Sequence, residues 1–201
     1  MQIVLASKSP ARAALLGQIG LKFKIMPSGI DERSVPRSNP VSYVKKLASM
    51  KAYAVAHKLA GRGRERQIVI GADTIVYNHG RIIGKPENRD DAVRTLQSLS
   101  NSTHEIITGL CIMDSSSTPK EFVCKAVRTR VRFRNITAAL LDWYIKTGEW
   151  RNHAGSYTVQ GRGYALVLKL EGDYSNAVGL PIPDLINALK EFDVELPRQK
   201  R

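Results

Sequence analysis

The sequence has little cysteine, no long apolar run and comparatively little acid. Its two cysteines, Cys111 and Cys124, fall in segments that read as strands and lack metal-ligand spacing. They are expected to be two buried thiols of a reducing, cytoplasmic compartment. The four histidines, His57, His79, His104 and His153, have no paired spacing either, so no zinc site is expected. Charge or glycine interrupts every apolar stretch well short of the roughly 20 residues that span a bilayer, which excludes a membrane partner of that kind. The N-terminus, MQIVLASKSP, carries no basic leader before its apolar residues, and no signal peptide is expected. With 43% hydrophobic and 24% charged residues, disordered and collagen-like classes are excluded as well.

Acid is outnumbered: 18 Asp and Glu face 31 Lys and Arg, a formal net charge of +13. Such an excess favours polyanionic partners, which could be nucleic acid, anionic lipid or phosphorylated small molecules. A chain of 201 residues is long enough for one large domain or two small lobes around a cleft.

Strand and helix patterns interleave along the chain, which gives an α/β class. Gln2 to Ala6 is a short apolar strand, followed by Ser9 and Pro10 as N-cap and first residue of a helix that Gly20 closes. That order aims free backbone N–H groups at whatever lies above the strand. Asn39-Pro40 opens the longest helix, with Val44, Leu47, Ala48, Val55 and Leu59 on one stripe. Gln67 to Ala72 reads as a buried strand ending at Asp73, and Asn78-His79-Gly80 as a hairpin turn. Along Phe122 to Arg134, Val127, Thr129, Val131 and Phe133 point one way, with Arg128, Arg130, Arg132 and Arg134 opposite. Tyr164 to Leu170 reads as a strand, and Asp184 to Phe192 as the last helix. A frayed basic tail is expected over 197–201, after a single domain over 1–196.

Several residues could carry chemistry. Asp73, at the C-terminal end of a buried strand, occupies the place where open α/β sheets form ligand crevices. Asp31-Glu32 is an acidic spot in a basic chain, and Mg²⁺ is commonly held by carboxylates shared with substrate phosphates. Lys51 lies on the apolar stripe of its helix, so it either runs its methylenes along the core or points its ammonium into a pocket. Arg12, one turn into the first helix, could reach an anion at that helix's N-terminus, and Gly84-Lys85-Pro86 is a bend presenting a lysine. The arginine face from Arg128 to Arg134 lacks interleaved aromatics and reads as a solvated strand face.

The order of these features resembles the Maf family. The resemblance rests on Leu5-Ala6-Ser7-x-Ser9-Pro10-x-Arg12, Ile30-Asp31-Glu32, Lys51-Ala52, Gly71-Ala72-Asp73-Thr74, Gly84-Lys85-Pro86, Ala154-Gly155-Ser156-Tyr157, Gln160-Gly161 and Gly179-Leu180-Pro181. It implies a cytoplasmic nucleoside triphosphate pyrophosphatase, often dimeric, that uses Mg²⁺, Mn²⁺ or Co²⁺ and cleaves between the α- and β-phosphates. The implied architecture is an elongated, two-lobed fold with a mixed twisted sheet and a central cleft, like that of inosine triphosphate pyrophosphatases. Asp73 is then the proton acceptor, Glu32 joins Asp73 at the metal, and Ser9, Arg12, Lys51 and Lys85 meet the phosphates. Thr74 and Gln160 match positions tied to base choice in the dTTP/UTP-cleaving branch, whereas Ala11 stands where the family commonly has arginine. The implied substrates are dTTP, UTP or related and modified nucleotides, with a role in arrest of cell division and in keeping modified nucleotides out of nucleic acids. The alternative is a nucleic-acid-binding or septum-regulating protein without turnover, although the implied reaction requires no nucleic acid.

Overall fold

A computed structural model describes residues 1–37, 39–60, 65–116 and 121–197. Residues 61–64 and the expected tail beyond 197 lie outside the described residues. The strands are β1 (Gln2–Leu5), β2 (Phe23–Ile25), β3 (Gln67–Asn78), β4 (Arg81–Ile83), β5 (Thr103–Asp114), β6 (Phe122–Phe133) and β7 (Val167–Glu171). The helices are α1 (Pro10–Gln18), α2 (Pro40–Leu59), α3 (Arg89–Leu99), α4 (Ala138–Thr147), α5 (Tyr174–Val178) and α6 (Ile182–Lys190). The strands form one mixed sheet in the order β2-β1-β3-β5-β6-β7, with β4 paired to β3. β1 runs parallel to β2 and β3, whereas β3–β4 and β6–β7 are antiparallel. The fold is therefore α/β with a mixed, helix-flanked sheet, as the interleaved sequence patterns imply.

The chain divides into two compact units. The first comprises residues 1–73, 108–127 and 179–201. β1 is buried on both faces, and Ile3 to Ala6 is apolar throughout, as a doubly covered strand requires. α2 starts as its sequence dictates: Asn39 caps by accepting from the Ser42 N–H, and Pro40 fills the first turn. Its small buried residues Ala48, Ala52 and Ala56 pack with Val4, Val69 and Met113. Two glycines on the strands beneath let the helix backbone come this close. A Cβ on Gly71 would collide with the Ala48 carbonyl oxygen and lie 2.8 Å from the Ala52 nitrogen; one on Gly109 would strike the Val44 carbonyl.

Cys111 and Cys124 require a correction. They are joined in a disulfide rather than being two separate thiols. Their Cα atoms lie 4.2 Å apart on neighbouring strands, a pairing set by the β5–β6 register, which spacing in sequence does not reveal.

The second unit comprises residues 74–107 and 128–178. Its core gathers Leu96 and Leu99 of α3, Val131 and Phe133 of β6, and Tyr144 of α4 with Trp150 and Tyr157. His104, 2% exposed, meets the Tyr157 hydroxyl at 2.6 Å through Nε2 and packs edge-on against Phe133. Burial lowers its pKa from 6.5 to about 4, so the ring is neutral at physiological pH. A histidine whose native pKa is depressed contributes its stability above the unfolded value, and that contribution is lost as pH falls toward the native one. Between pH 6.5 and 4 this single group is expected to withdraw about 3 kcal/mol. Urea unfolding of wild type and His104→Gln at pH 7 and pH 4 measures it: the variant should lose markedly less stability on acidification. Equal losses would contradict this assignment.

Four further segments differ from the sequence expectation. β3 does not stop at Asp73 but continues unbroken to Asn78, because no residue from Asp73 to Tyr77 breaks extended backbone. The first half of the expected strand at 164–170 is instead a 3-10 turn over Gly161–Leu166, opened by Gly161 at φ +79°. α6 begins at Ile182, two residues early, and the short α5 has no sequence expectation at all. The hairpin expectation stands: His79 and Gly80 both have positive φ and join β3 to β4.

Candidate active site

The β1–β3 ladder ends where Leu5 pairs with Ile70, and the Ala6 N–H still donates to the Ile70 carbonyl at 2.8 Å. Beyond that point β1 turns into Ser7–Ser9 and α1, while β3 runs on. Asp73 therefore lies mid-strand but past the end of its parallel neighbour, the position at which α/β sheets open for ligands.

Asp73 is 7% exposed and does not stand alone. The Lys51 ammonium donates to its Oδ1 at 2.6 Å and also lies 2.7 Å from Oε1 of Glu32. The inward reading of Lys51 is thus the observed one. α2 delivers the side chain because Gly71, two residues before Asp73, lets the helix rest on this strand. The adjacent acids at 31–32 divide their labour. The Asp31 carboxylate accepts from the Arg33 N–H at 3.0 Å, capping the 3-10 turn Glu32–Ser34, and this turn directs Glu32 toward Lys51.

Arg12 is buried as well. Its Nε donates to the Gly179 carbonyl at 2.7 Å and its Nη1 to Ser7 Oγ at 3.1 Å. Ser7 Oγ also accepts from the Ser9 N–H at 3.2 Å, and Ser9 caps α1 by accepting from the Arg12 N–H at 3.4 Å. Ala11 lies half-buried in the first turn of α1. The electrostatics follow from burial and pairing. Desolvation pushes the Asp73 pKa up, opposed by Lys51 and then Arg12, while Glu32 reinforces the rise. Desolvation pulls the Arg12 pKa down, opposed by Asp73 and Glu32. A buried carboxylate with raised proton affinity beside two cations can hold a proton drawn from water.

Ser9, Arg12, Glu32, Lys51 and Asp73 are thus gathered in the first unit. Thr74, Lys85 and Gln160 belong to the second. Thr74 follows Asp73 on β3. Lys85 is exposed on a bend whose Gly84 carbonyl accepts from the Gly155 N–H at 3.0 Å. Gln160 precedes a turn held by the Glu149 carboxylate, which accepts from the Arg162 and Gly163 N–H groups at 2.9 and 3.1 Å. Sequence reasoning missed the part played by Ser7 and by the Gly179 carbonyl. The Gly179-Leu180-Pro181 turn was visible, but a backbone acceptor leaves no side-chain signal.

Among the described residues no cluster of three or more His, Cys, Asp or Glu is placed to hold a metal. The hard oxygen pair of Glu32 and Asp73, converging on one ammonium, nevertheless fits Mg²⁺, which commonly takes one or two carboxylates and completes its shell with water and phosphate.

The mixed α/β sheet thus carries a carboxylate–ammonium–carboxylate cluster and a buried arginine beside a helix N-terminus, an arrangement suited to proteins that bind anions. The sequence matches the Maf-like protein family over residues 2–192, and the chain belongs to that family. It is 44% identical over 200 residues to the dTTP/UTP pyrophosphatase of Acetivibrio thermocellus, covering 98% of both chains. It is 43% identical over 191 residues to the enzyme of the same name from Pelotomaculum thermopropionicum, covering 95% of this chain and 96% of the relative. Among solved structures, a nucleoside-triphosphatase / dITP/XTP pyrophosphatase from Mycobacterium abscessus aligns over 96% of each chain at 15% identity, with a TM-score of 0.42. No helix among the described residues is long and apolar enough to cross a membrane.

Proposed function

We propose that this protein is a nucleoside triphosphate pyrophosphatase, a hydrolase that converts a nucleoside triphosphate to the monophosphate and pyrophosphate. The observation that carries the reading is the Lys51 ammonium held between Glu32 and the buried Asp73, in a chain that belongs to the Maf-like family. Asp73 accepts the proton of the attacking water, and its desolvated carboxylate suits that task. Arg12 and Lys51 offset the negative charge of the phosphates, and Ser9 contributes at the N-terminus of α1. Glu32 and Asp73 hold a divalent cation, Mg²⁺, Mn²⁺ or Co²⁺. When bound, the ion supplies neutralisation of phosphate oxygens and orientation of the reacting groups. The substrates are free nucleotides, and the family resemblance implies the cytoplasm as the setting and a homodimer as the assembly.

The substrate is dTTP or UTP, or a related or modified nucleotide. Thr74 and Gln160 support this reading, as do relatives named for those substrates. Pyrophosphate release from dTTP, UTP, CTP, GTP, 7-methyl-GTP and 5-methyl-UTP, with and without Mg²⁺, tests it. dTTP, UTP and 5-methyl-UTP should exceed the guanine nucleotides by at least about tenfold in kcat/KM, and all turnover should require the metal. Preference for a guanine nucleotide would assign Ala11, rather than Thr74 and Gln160, the deciding influence.

A further inference from the structure

An ammonium and a divalent cation cannot occupy the same carboxylate pair. Lys51 Nζ lies 2.6 Å from Asp73 Oδ1 and 2.7 Å from Glu32 Oε1, so the resident cation already fills the space these oxygens share. The pair is well shielded: the side chains of Lys51 and Asp73 are each 10% exposed, which strengthens both their attraction and the repulsion any second cation would meet. α2 is seated closely on β3, with no room for a methyl group on Gly71. The lysine side chain can move without the helix, since its four methylenes can re-aim the ammonium from a fixed backbone. Glu32, half exposed on its 3-10 turn, is the open side of the pair.

We propose that Lys51 is an exchangeable counter-ion: it closes the Glu32–Asp73 pair against divalent metal until a triphosphate provides an alternative partner for the ammonium. This rests on the reading of Glu32 and Asp73 as the metal's carboxylates. Metal and nucleotide then bind interdependently. The nucleotide's phosphates draw the ammonium away, which frees the carboxylates, and bare metal binds weakly. Without nucleotide, Lys51 also offsets the repulsion between the buried Asp73 and the half-exposed Glu32.

Mn²⁺ binding, followed by loss of the free-ion signal in electron paramagnetic resonance, tests this on the full chain. Without nucleotide, Lys51→Met should bind Mn²⁺ about tenfold more tightly than wild type, although a lysine has been removed from the active site. Lys51→Gln is the second neutral variant, should the methionine fail to fold, and Lys51→Arg should keep the weak binding of wild type. Addition of a non-hydrolysable α,β-methylene analogue of UTP should tighten Mn²⁺ binding in wild type more than in Lys51→Met. Unchanged or weaker Mn²⁺ binding in both neutral variants would overturn the proposal. If Glu32→Gln still weakened Mn²⁺ binding in that case, the metal reading would stand while the exchange fell. If instead Lys51→Met bound tightly and adding Glu32→Gln made no difference, the metal would lie elsewhere and both would fall.

Discussion

Asp73→Asn is expected to lower pyrophosphate release by about a thousandfold while leaving the melting temperature close to that of wild type. The substitution keeps the shape of the side chain and removes only the charge and the ability to take a proton. Folding should tolerate it. Burial already disfavours the ionised carboxylate, so a neutral amide relieves a desolvation cost even as it weakens the contact with Lys51. Lys51 retains Glu32 as its partner. Thermal melts separate the two effects: a dead but stable variant identifies a chemical role, and a variant within about tenfold of wild type removes Asp73 from the proton-accepting position.

Gly71→Ala acts from behind the site. The added methyl would meet the Ala48 carbonyl and lie 2.8 Å from the Ala52 nitrogen, both α2 backbone atoms. Backbone cannot rotate away, so the helix must lift from β3. The expected cost is about 3 kcal/mol, roughly 10 °C in melting temperature for a chain of this size. Lys51 moves with the helix. Its 2.6 Å contact with Asp73 lengthens, and kcat/KM should fall by at least about tenfold even well below the melting transition. Urea titration and steady-state kinetics on one preparation measure both. A variant with unchanged stability would mean that the α2–β3 approach has slack the structure does not suggest.

These two predictions also show how far the sequence could be read. Asp73 was legible as a candidate because a carboxylate closing an apolar β-branched run conflicts with its surroundings and stands where open α/β sheets form ligand crevices. Lys51 was legible as a conflict too, being a charge on a helix's apolar stripe, but the direction of its ammonium was not. That direction depends on the depth at which α2 sits, which Gly71 and Gly109 set through contacts remote in sequence. Asp31 and Glu32 could not be told apart without the 3-10 turn that one of them caps. The continuation of β3 through Asp73 was hidden because strand patterns are short and Asp is a poor strand former. The pairing of Cys111 with Cys124 was hidden by strand register, which no local pattern encodes. Two helix starts were clear: Ser9-Pro10 and Asn39-Pro40 each cap where their sequence says, since capping is a local hydrogen bond.

The Glu32–Lys51–Asp73 site is expected to hydrolyse a nucleoside triphosphate between its α- and β-phosphates. Phosphorus-31 nuclear magnetic resonance of dTTP or UTP incubated with Mg²⁺ and either wild type or Asp73→Asn measures it most directly. Equal amounts of nucleoside monophosphate and pyrophosphate should accumulate with wild type and be nearly absent with the variant. Nucleoside diphosphate with inorganic phosphate, or equal turnover by the two proteins, would contradict the account.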